Sequence, residues 1–259
     1  MSINVFLSVD FDADSAERLY YAKCPVKISK AQFDLNVGLD RLLTLFKKYE
    51  IKTTFFVPAW VAQEYPHHVE KIVRDEHEIG LHGYKHEKLN ELSREKELEL
   101  LHKSLKILQS FSDINGFRKP YWEISENTLD ILTELKIIYD SSLKGCDFPY
   151  IQKTRKGALV ELPIEDFLDD WVLFEIDRKG PEEVLSMWKG EFESSLHLNI
   201  PYISIIVHPS CIGRASRLTM LEKLINHILT QGGAFKRGIE IVSDFLKMTG
   251  NKVTVPPLF

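Results

Sequence analysis

Hydrophobic positions in this chain fall into short runs whose period keeps switching. "INVFLSVD" (3–10) is an apolar run too short for a helix, and it reads as a buried strand. "LNVGLDRLLTLFKKYE" then sets Leu39, Leu42, Leu43, Phe46 and Tyr49 at helical spacing. "IKTTFFVPA" is β-branched and aromatic and predicts a second strand, broken by Pro58. "EYPHHVEKIVRDEHE" is helical, with Pro66 suited to a first turn. "EIGLHG" predicts a short strand. Leu92 to Ser112 predicts a long amphipathic helix striped by Leu98, Leu101, Leu105, Leu108 and Phe111. The alternation continues with "GFRKP" as a strand, a helix capped by Ser125 and running to about Leu135, and "KIIYDSS" as a strand.

After Gly145 the pattern weakens. "ALVELPIE" predicts a strand, whereas "DFLDDWVLFE" fits no single period. A helix over Pro181–Leu198, the strand "YISIIVHP", a helix over Ser216–Thr230 and a last helix near Val242–Met248 complete the order. Short apolar strands alternating with helices imply an α/β fold, a parallel sheet covered by helices. A closed or partly closed barrel fits better than an open doubly wound sheet, because the first strand ends in acids and not in a Gly-rich phosphate turn. No repeat or low-complexity linker divides the 259 residues, so a single domain is expected.

Composition narrows the function classes. With 44% hydrophobic and 27% charged residues the chain is an ordinary globular protein. A net charge of −5 gives no basic footprint for nucleic acid or an anionic membrane. No apolar run approaches the roughly 20 residues that span a bilayer. The opening residues have no basic n-region. Cys24, Cys146 and Cys211 form no CxxC pair, which fits a reducing cytoplasm.

The informative residues sit where strands end. Strand one ends in Asp10 and Asp12, the third in His82 with His86 beyond it, the fourth in Arg118, and the "YISIIVHP" strand in His208. Carboxyl ends of strands form the active-site face of α/β barrels. Singly these residues mean little: DxD is common on acidic surfaces, and nine histidines give about 0.3 HxxxH pairs by chance. Together at one rim they suit a hydrolytic metal site. Zn²⁺ takes imidazole and carboxylate and keeps one position for water. His82, His86 and one aspartate would bind it, and the other aspartate would take the proton of the activated water.

These residues resemble the polysaccharide deacetylases of the NodB-homology type. "SVDFDAD" stands where that family has its acidic motif, "LHGYKH" where it has H-[ST]-x-x-H, "GFRKPYW" where it has R-x-P-[YW], and "IIVHP" where it has L-x-H. The resemblance covers nearly the whole chain and implies a distorted (β/α) barrel. It also implies that Asp12, His82 and His86 bind the metal and that Asp10 is the general base. Arg118 would hold Asp10, His208 would be the general acid, and Pro120, Tyr121 and Trp122 would wall the pocket. Two departures stand out. Phe11 separates aspartates that are adjacent in the family, which leaves the Asp10 and Asp12 roles exchangeable, and Gly83 replaces Ser or Thr. "TTFFVPAW", "YDSSL", "ELPIEDFLDDW" and "HPSCIGRASRLTMLEKLI" are similar to a cytoplasmic branch of peptidoglycan-deacetylase-like, allantoinase-like and cyclic-imide-hydrolysing proteins.

The expected partner is therefore a small molecule or an N-acylated sugar, with no nucleic acid or membrane; a homo-oligomer stays open. Cys146–Phe174 is rich in aromatics and acids and is expected over the mouth of the pocket, with Asp147, Asp169, Asp170 and Trp171 facing it. Arg214 and Arg217 precede a helix that either packs on the barrel or anchors a carboxylate or a neighbouring subunit. A cyclic-imide hydrolase and a non-catalytic ligand-binding barrel are the competing functions, and a closed structural metal site is a further one.

Overall fold

The computed structural model describes residues 3–121, 123–249 and 254–255. Trp122 lies outside them. The amino-terminal half runs β1 (Asn4–Asp10), α1 (Ser15–Tyr20), α2 (Pro25–Ala31), a π-helical turn (Asp34–Gly38), α3 (Leu39–Lys48), β2 (Thr54–Val57), α4 (Ala59–Glu64), α5 (Pro66–Arg74), β3 (Glu78–Leu81), α6 (Arg94–Leu108) and β4 (Gly116–Phe117). Then come α7 (Thr128–Glu134), β5 (Tyr139–Asp140), β6 (Tyr150–Thr154), β7 (Gly157–Glu161), α8 (Pro181–Leu198), β8 (Tyr202–Val207), α9 (Pro209–Ile212), α10 (Ala215–Thr230), β9 (Ala234–Phe235), α11 (Gly238–Thr249) and β10 (Thr254–Val255).

The strands pair in the order β10-β6-β7-β5-β4-β3-β2-β1-β8, with β9 added to β1. Every described pairing is parallel except β6 with β7. β8 covers β1 from Asn4 to Val9 on one edge. On the other edge β2 joins only at Val9 and Asp10, and β9 fills the place opposite Asn4 and Val5. The result is the expected distorted, incompletely closed (β/α) barrel.

Alternation along β1 shows how the fold makes a site. Val5, Leu7 and Val9 enter the large core between sheet and helices. Phe6 points the other way, into a second core with Phe56, Tyr139, Tyr202, Val242 and Phe245. Ser8 and Asp10 continue the Phe6 face and are also buried. That face is thus apolar low on the strand and polar at its carboxyl end. Two glycines make room for its aromatics: a Cβ on Gly80 would lie 2.4 Å from the Phe56 ring, and one on Gly116 2.1 Å from Tyr139. Truncating an aromatic here, as in Phe56→Ala, removes about 3–5 kcal/mol.

The structure corrects several expectations. Residues 146–174 do not form one lid. β6 and β7 pair from Tyr150↔Glu161 to Thr154↔Gly157 as a hairpin inside the sheet, and only the last part of the segment reaches the cleft. α6 is shorter than the expected 92–112 and starts after Ser93, whose hydroxyl accepts from the Lys96 N–H. α7 starts after Asn127, later than expected; Ser125 still ties its entry, its hydroxyl accepting the Asn127 N–H at 3.0 Å while donating to Glu97 at 2.5 Å. α1 and α2 were not foreseen. They are pinned by the third opening acid, the fully buried Asp14, which accepts from Arg18 Nε (2.9 Å), Gln32 Nε2 (3.2 Å) and the Tyr65 hydroxyl (2.8 Å).

Candidate active site

The carboxyl ends of β1, β3, β4 and β8 open into a cleft of about 270 Å³. Asp10, Asp12, His82, His86, Tyr121, Asp169, Trp171 and His208 all line it. Strand ends deliver most of these groups. Asp10 closes β1, His82 follows β3, Arg118 follows β4, and His208 follows β8.

Asp12, His82 and His86 each offer a ligating atom within 4.8 Å of the others. His82 Nε2 lies 3.4 Å from Asp12 Oδ1, and His86 Nε2 lies 3.5 Å from Asp12 Oδ2. Ligands about 2.0–2.1 Å from a tetrahedral zinc stand roughly 3.3 Å apart, so these spacings fit such an ion. His82 Nδ1 is 2.9 Å from the Arg118 carbonyl, a contact that needs the proton on Nδ1 and leaves the Nε2 lone pair facing Asp12. Burial pushes both imidazoles down to about 4, so they are neutral and free to ligate. Asp12 Oδ1 is buried without a hydrogen-bond partner. A buried acceptor left idle in this way is costly unless something else engages it. The residues therefore fit a divalent cation.

Local backbone supports the set. Gly83, the departure from the second motif, has φ +69°. A Cβ there would meet Pro120 Cγ at 3.0 Å, so the buried Pro120 packs on the loop between the histidines. His86 and Tyr121 also hold positive φ, +66° and +57°, and their rings meet edge to face at 4.5 Å. Non-glycine residues held in this region cluster at functional sites.

Asp10 is not idle. Arg118 Nη1 donates to Asp10 Oδ1 at 2.8 Å and to Ser8 Oγ at 2.7 Å, with the guanidinium only 2% exposed. Burial works to raise the Asp10 pKa, but Arg118, His82 and His208 outweigh it and hold the carboxyl below its usual value. On the far side, His208 Nε2 stands 3.9 Å from Asp10 Oδ2. His208 Nδ1 donates to Asp170 Oδ1 at 2.7 Å, and Asp170 also accepts the His208 backbone N–H. Burial would lower the imidazole pKa, yet the Asp170 hydrogen bond and the charges of Asp170, Asp169 and Asp10 drive it well above the ordinary value. The cleft thus holds an ionised carboxylate beside a protonated imidazole, a base and an acid at one place.

Not every expected residue arrives here. Asp147 is exposed and lines a separate small cavity with Ile164, Glu191 and Tyr202. Asp170 lies beneath His208 instead of walling the pocket. Trp171 is a wall, its ring 5.8 Å from that of His208. Arg214 and Arg217 pack: Arg214 stacks on Phe33 at 3.6 Å, and Arg217 pairs with Glu175 at 2.8 Å over Phe174. Sequence reasoning missed Glu17, Lys30, Asp34 and Lys119, which also line the cleft. Lys119 was within reach, since it fills the open position of the third motif.

Comparison with known proteins adds lineage to this geometry. Residues 32–139 match the polysaccharide deacetylase family model, a stretch that holds His82, His86 and Arg118. A peptidoglycan deacetylase of Helicobacter pylori is 30% identical across 96% of this chain and 98% of its own. A crystal structure of a polysaccharide deacetylase homologue from Mycobacterium smegmatis superposes with a TM-score of 0.88 at 27% identity, covering all of this chain and 93% of the other. The Puue allantoinase structure shares the fold at TM-score 0.87 and 20% identity, over 95% of this chain and 90% of its own. The chain belongs to the polysaccharide deacetylase family.

Proposed function

We propose that this protein is a metal-dependent hydrolase that removes the acyl group from an N-acylated sugar. The observation that carries the reading is the meeting, in one cleft, of the Arg118-held Asp10, the Asp170-held His208 and the Asp12–His82–His86 set. Two imidazoles and a carboxylate suit Zn²⁺ and leave room for water. When bound, the metal lowers the pKa of a water toward about 7 and polarises the acyl oxygen. Asp10 accepts the proton of the attacking water, and Arg118 keeps it ionised for that task. His208 holds one proton on Nδ1 against Asp170 and delivers the other, on Nε2, to the leaving nitrogen. The C–N bond breaks, leaving a carboxylate and an amine. Tyr121 and Trp171 supply apolar walls for the sugar ring, with Pro120 behind them. Three free cysteines among the described residues support a reducing compartment, the cytoplasm.

Hydrolysis of a small cyclic imide or amide is the second reading. It is favoured by the modest cleft volume and by the shared fold with an allantoinase. A panel of N-acetylglucosamine oligomers against succinimide and hydantoin, with zinc-loaded protein, separates the two. Acetate release from the oligomers, reduced at least about 100-fold by Asp10→Asn, is the expected result. Turnover of the ring compounds alone would overturn the sugar reading.

A further inference from the structure

Behind Arg118 lies a pair of carboxyls that the reaction does not use. Asp140 and Glu161 are cross-strand partners at the ends of β5 and β7, and neither has any exposed surface. Glu161 Oε1 accepts the Ser142 and Leu143 N–H groups, both at 2.9 Å. Asp140 Oδ1 accepts the Ser142 hydroxyl at 2.6 Å. The remaining oxygens, Asp140 Oδ2 and Glu161 Oε2, are buried and receive no donor, on two side chains that the β5–β7 register and the shared partner Ser142 bring together. Two carboxylate oxygens cannot bond without a hydrogen between them. Like charges this close also resist joint ionisation.

We propose that Asp140 and Glu161 share one proton and form a positioning pair that fixes Arg118, and through it Asp10, at the cleft. Charge balance agrees. One proton leaves the pair at −1, facing the buried Lys119, whose Nζ donates to the Ser142 carbonyl at 2.5 Å. The Arg118 charge already meets Asp10.

The pair sets Ser142, whose Oγ accepts the Lys119 N–H at 3.0 Å. The adjoining Ser141 takes Arg118 from both sides: its carbonyl accepts Nε at 3.2 Å and its Oγ accepts Nη2 at 2.8 Å. Ser141 Oγ donates onward to the Leu162 carbonyl at 2.9 Å, so its single hydrogen is committed. Every donor direction in this network is therefore defined, and the Arg118 Nη1 left over is the one that reaches Ser8 and Asp10. The link to turnover rests on the hydrolase reading above; the shared proton does not.

Glutamine has the shape and donor pattern of a protonated glutamate. In Glu161→Gln, the amide oxygen keeps the two N–H groups and the amide nitrogen donates to Asp140. The zinc-loaded variant should retain kcat within about threefold, whereas Glu161→Ala should lose at least tenfold in kcat with KM and zinc content little changed. A readout without substrate accompanies this: the slowly exchanging ¹⁵N signal of the Arg118 Nε–H, kept in Glu161→Gln and lost in Glu161→Ala. Equal damage by both variants would overturn the shared proton. Full kcat and an intact Arg118 signal in Glu161→Ala would overturn the positioning role. Should Glu161→Ala not fold, Asp140→Asn, Glu161→Gln and their double variant decide. Each single variant should behave as wild type and the double should lose the Arg118 signal, since no acceptor then remains between the two amides; three equivalent signals would overturn the proposal. If no acyl substrate is turned over, the hydrolase reading falls and the Arg118 signal still tests the pair.

Discussion

Asp170 shows what a single side chain contributes. It has no exposed surface and holds His208 by its ring and by its backbone. The account makes His208 a proton donor, so activity must fall as pH rises through its raised pKa. Asp170→Asn removes the main influence raising that pKa, and the alkaline limb of kcat should therefore move to lower pH. A kcat loss of about 100-fold or more at neutral pH should accompany it, with zinc content unchanged. Steady-state rates between pH 6 and 10 measure both; an unmoved limb would remove His208 as the acid. At this scale much was legible. Asp10, Asp12, His82, His86, Arg118 and His208 could be picked out because each closes or follows an apolar run. Asp147, Asp170 and Trp171 were all expected to face the pocket, because their stretch has no period from which to tell one face from another. One of the three lines the cleft, one is the hydrogen-bond partner of His208, and one belongs to another cavity.

Elements are held together by buried polar ties as well as by their apolar stripes. Glu97 on α6 is fully buried and accepts from the Ser125 hydroxyl and from Thr128 on α7. Thr128→Val removes a donor of matching shape and leaves that carboxylate short of a partner. The expected cost is about 1–3 kcal/mol by urea denaturation, with no change in metal content. A cost near zero would mean that the tie is replaced by water. Strands were legible as apolar runs, and α8 and α10 as stripes. α1 and α2 were not, because "SAERLY" and "PVKISKA" bury almost nothing and are held by Asp14 from outside their own pattern. β6 was missed for a related reason. "YIQKT" mixes polar and apolar residues because Lys153 and Thr154 lie outside the core, so only its partner β7 showed as a strand.

For the whole molecule, stability should depend on one buried histidine far from the cleft. His77 packs on Phe55 and Phe46, and its Nδ1 accepts the Thr53 N–H at 3.1 Å. Burial, helped by Lys52, pushes its pKa down to about 4, against about 6.5 in an unfolded chain. Only the unfolded chain takes up this proton between those values. The contribution is therefore complete above pH 6.5 and is lost as pH falls toward 4. Wild type should lose on the order of 2 kcal/mol more than His77→Gln between pH 7 and 4.5, read from denaturation midpoints; parallel losses would contradict this. Barrel topology was legible because alternation of element type dictates a parallel sheet, and a parallel sheet puts its strand ends at one rim. The central claim is that residues 70 positions apart meet there around one cation. Zinc affinity of the wild type, Asp12→Asn, His82→Ala and Asp10→Asn tests it most directly. The account predicts one equivalent in the wild type and in Asp10→Asn, and affinity reduced at least about 10-fold in the other two. Full zinc binding by folded Asp12→Asn and His82→Ala would contradict it.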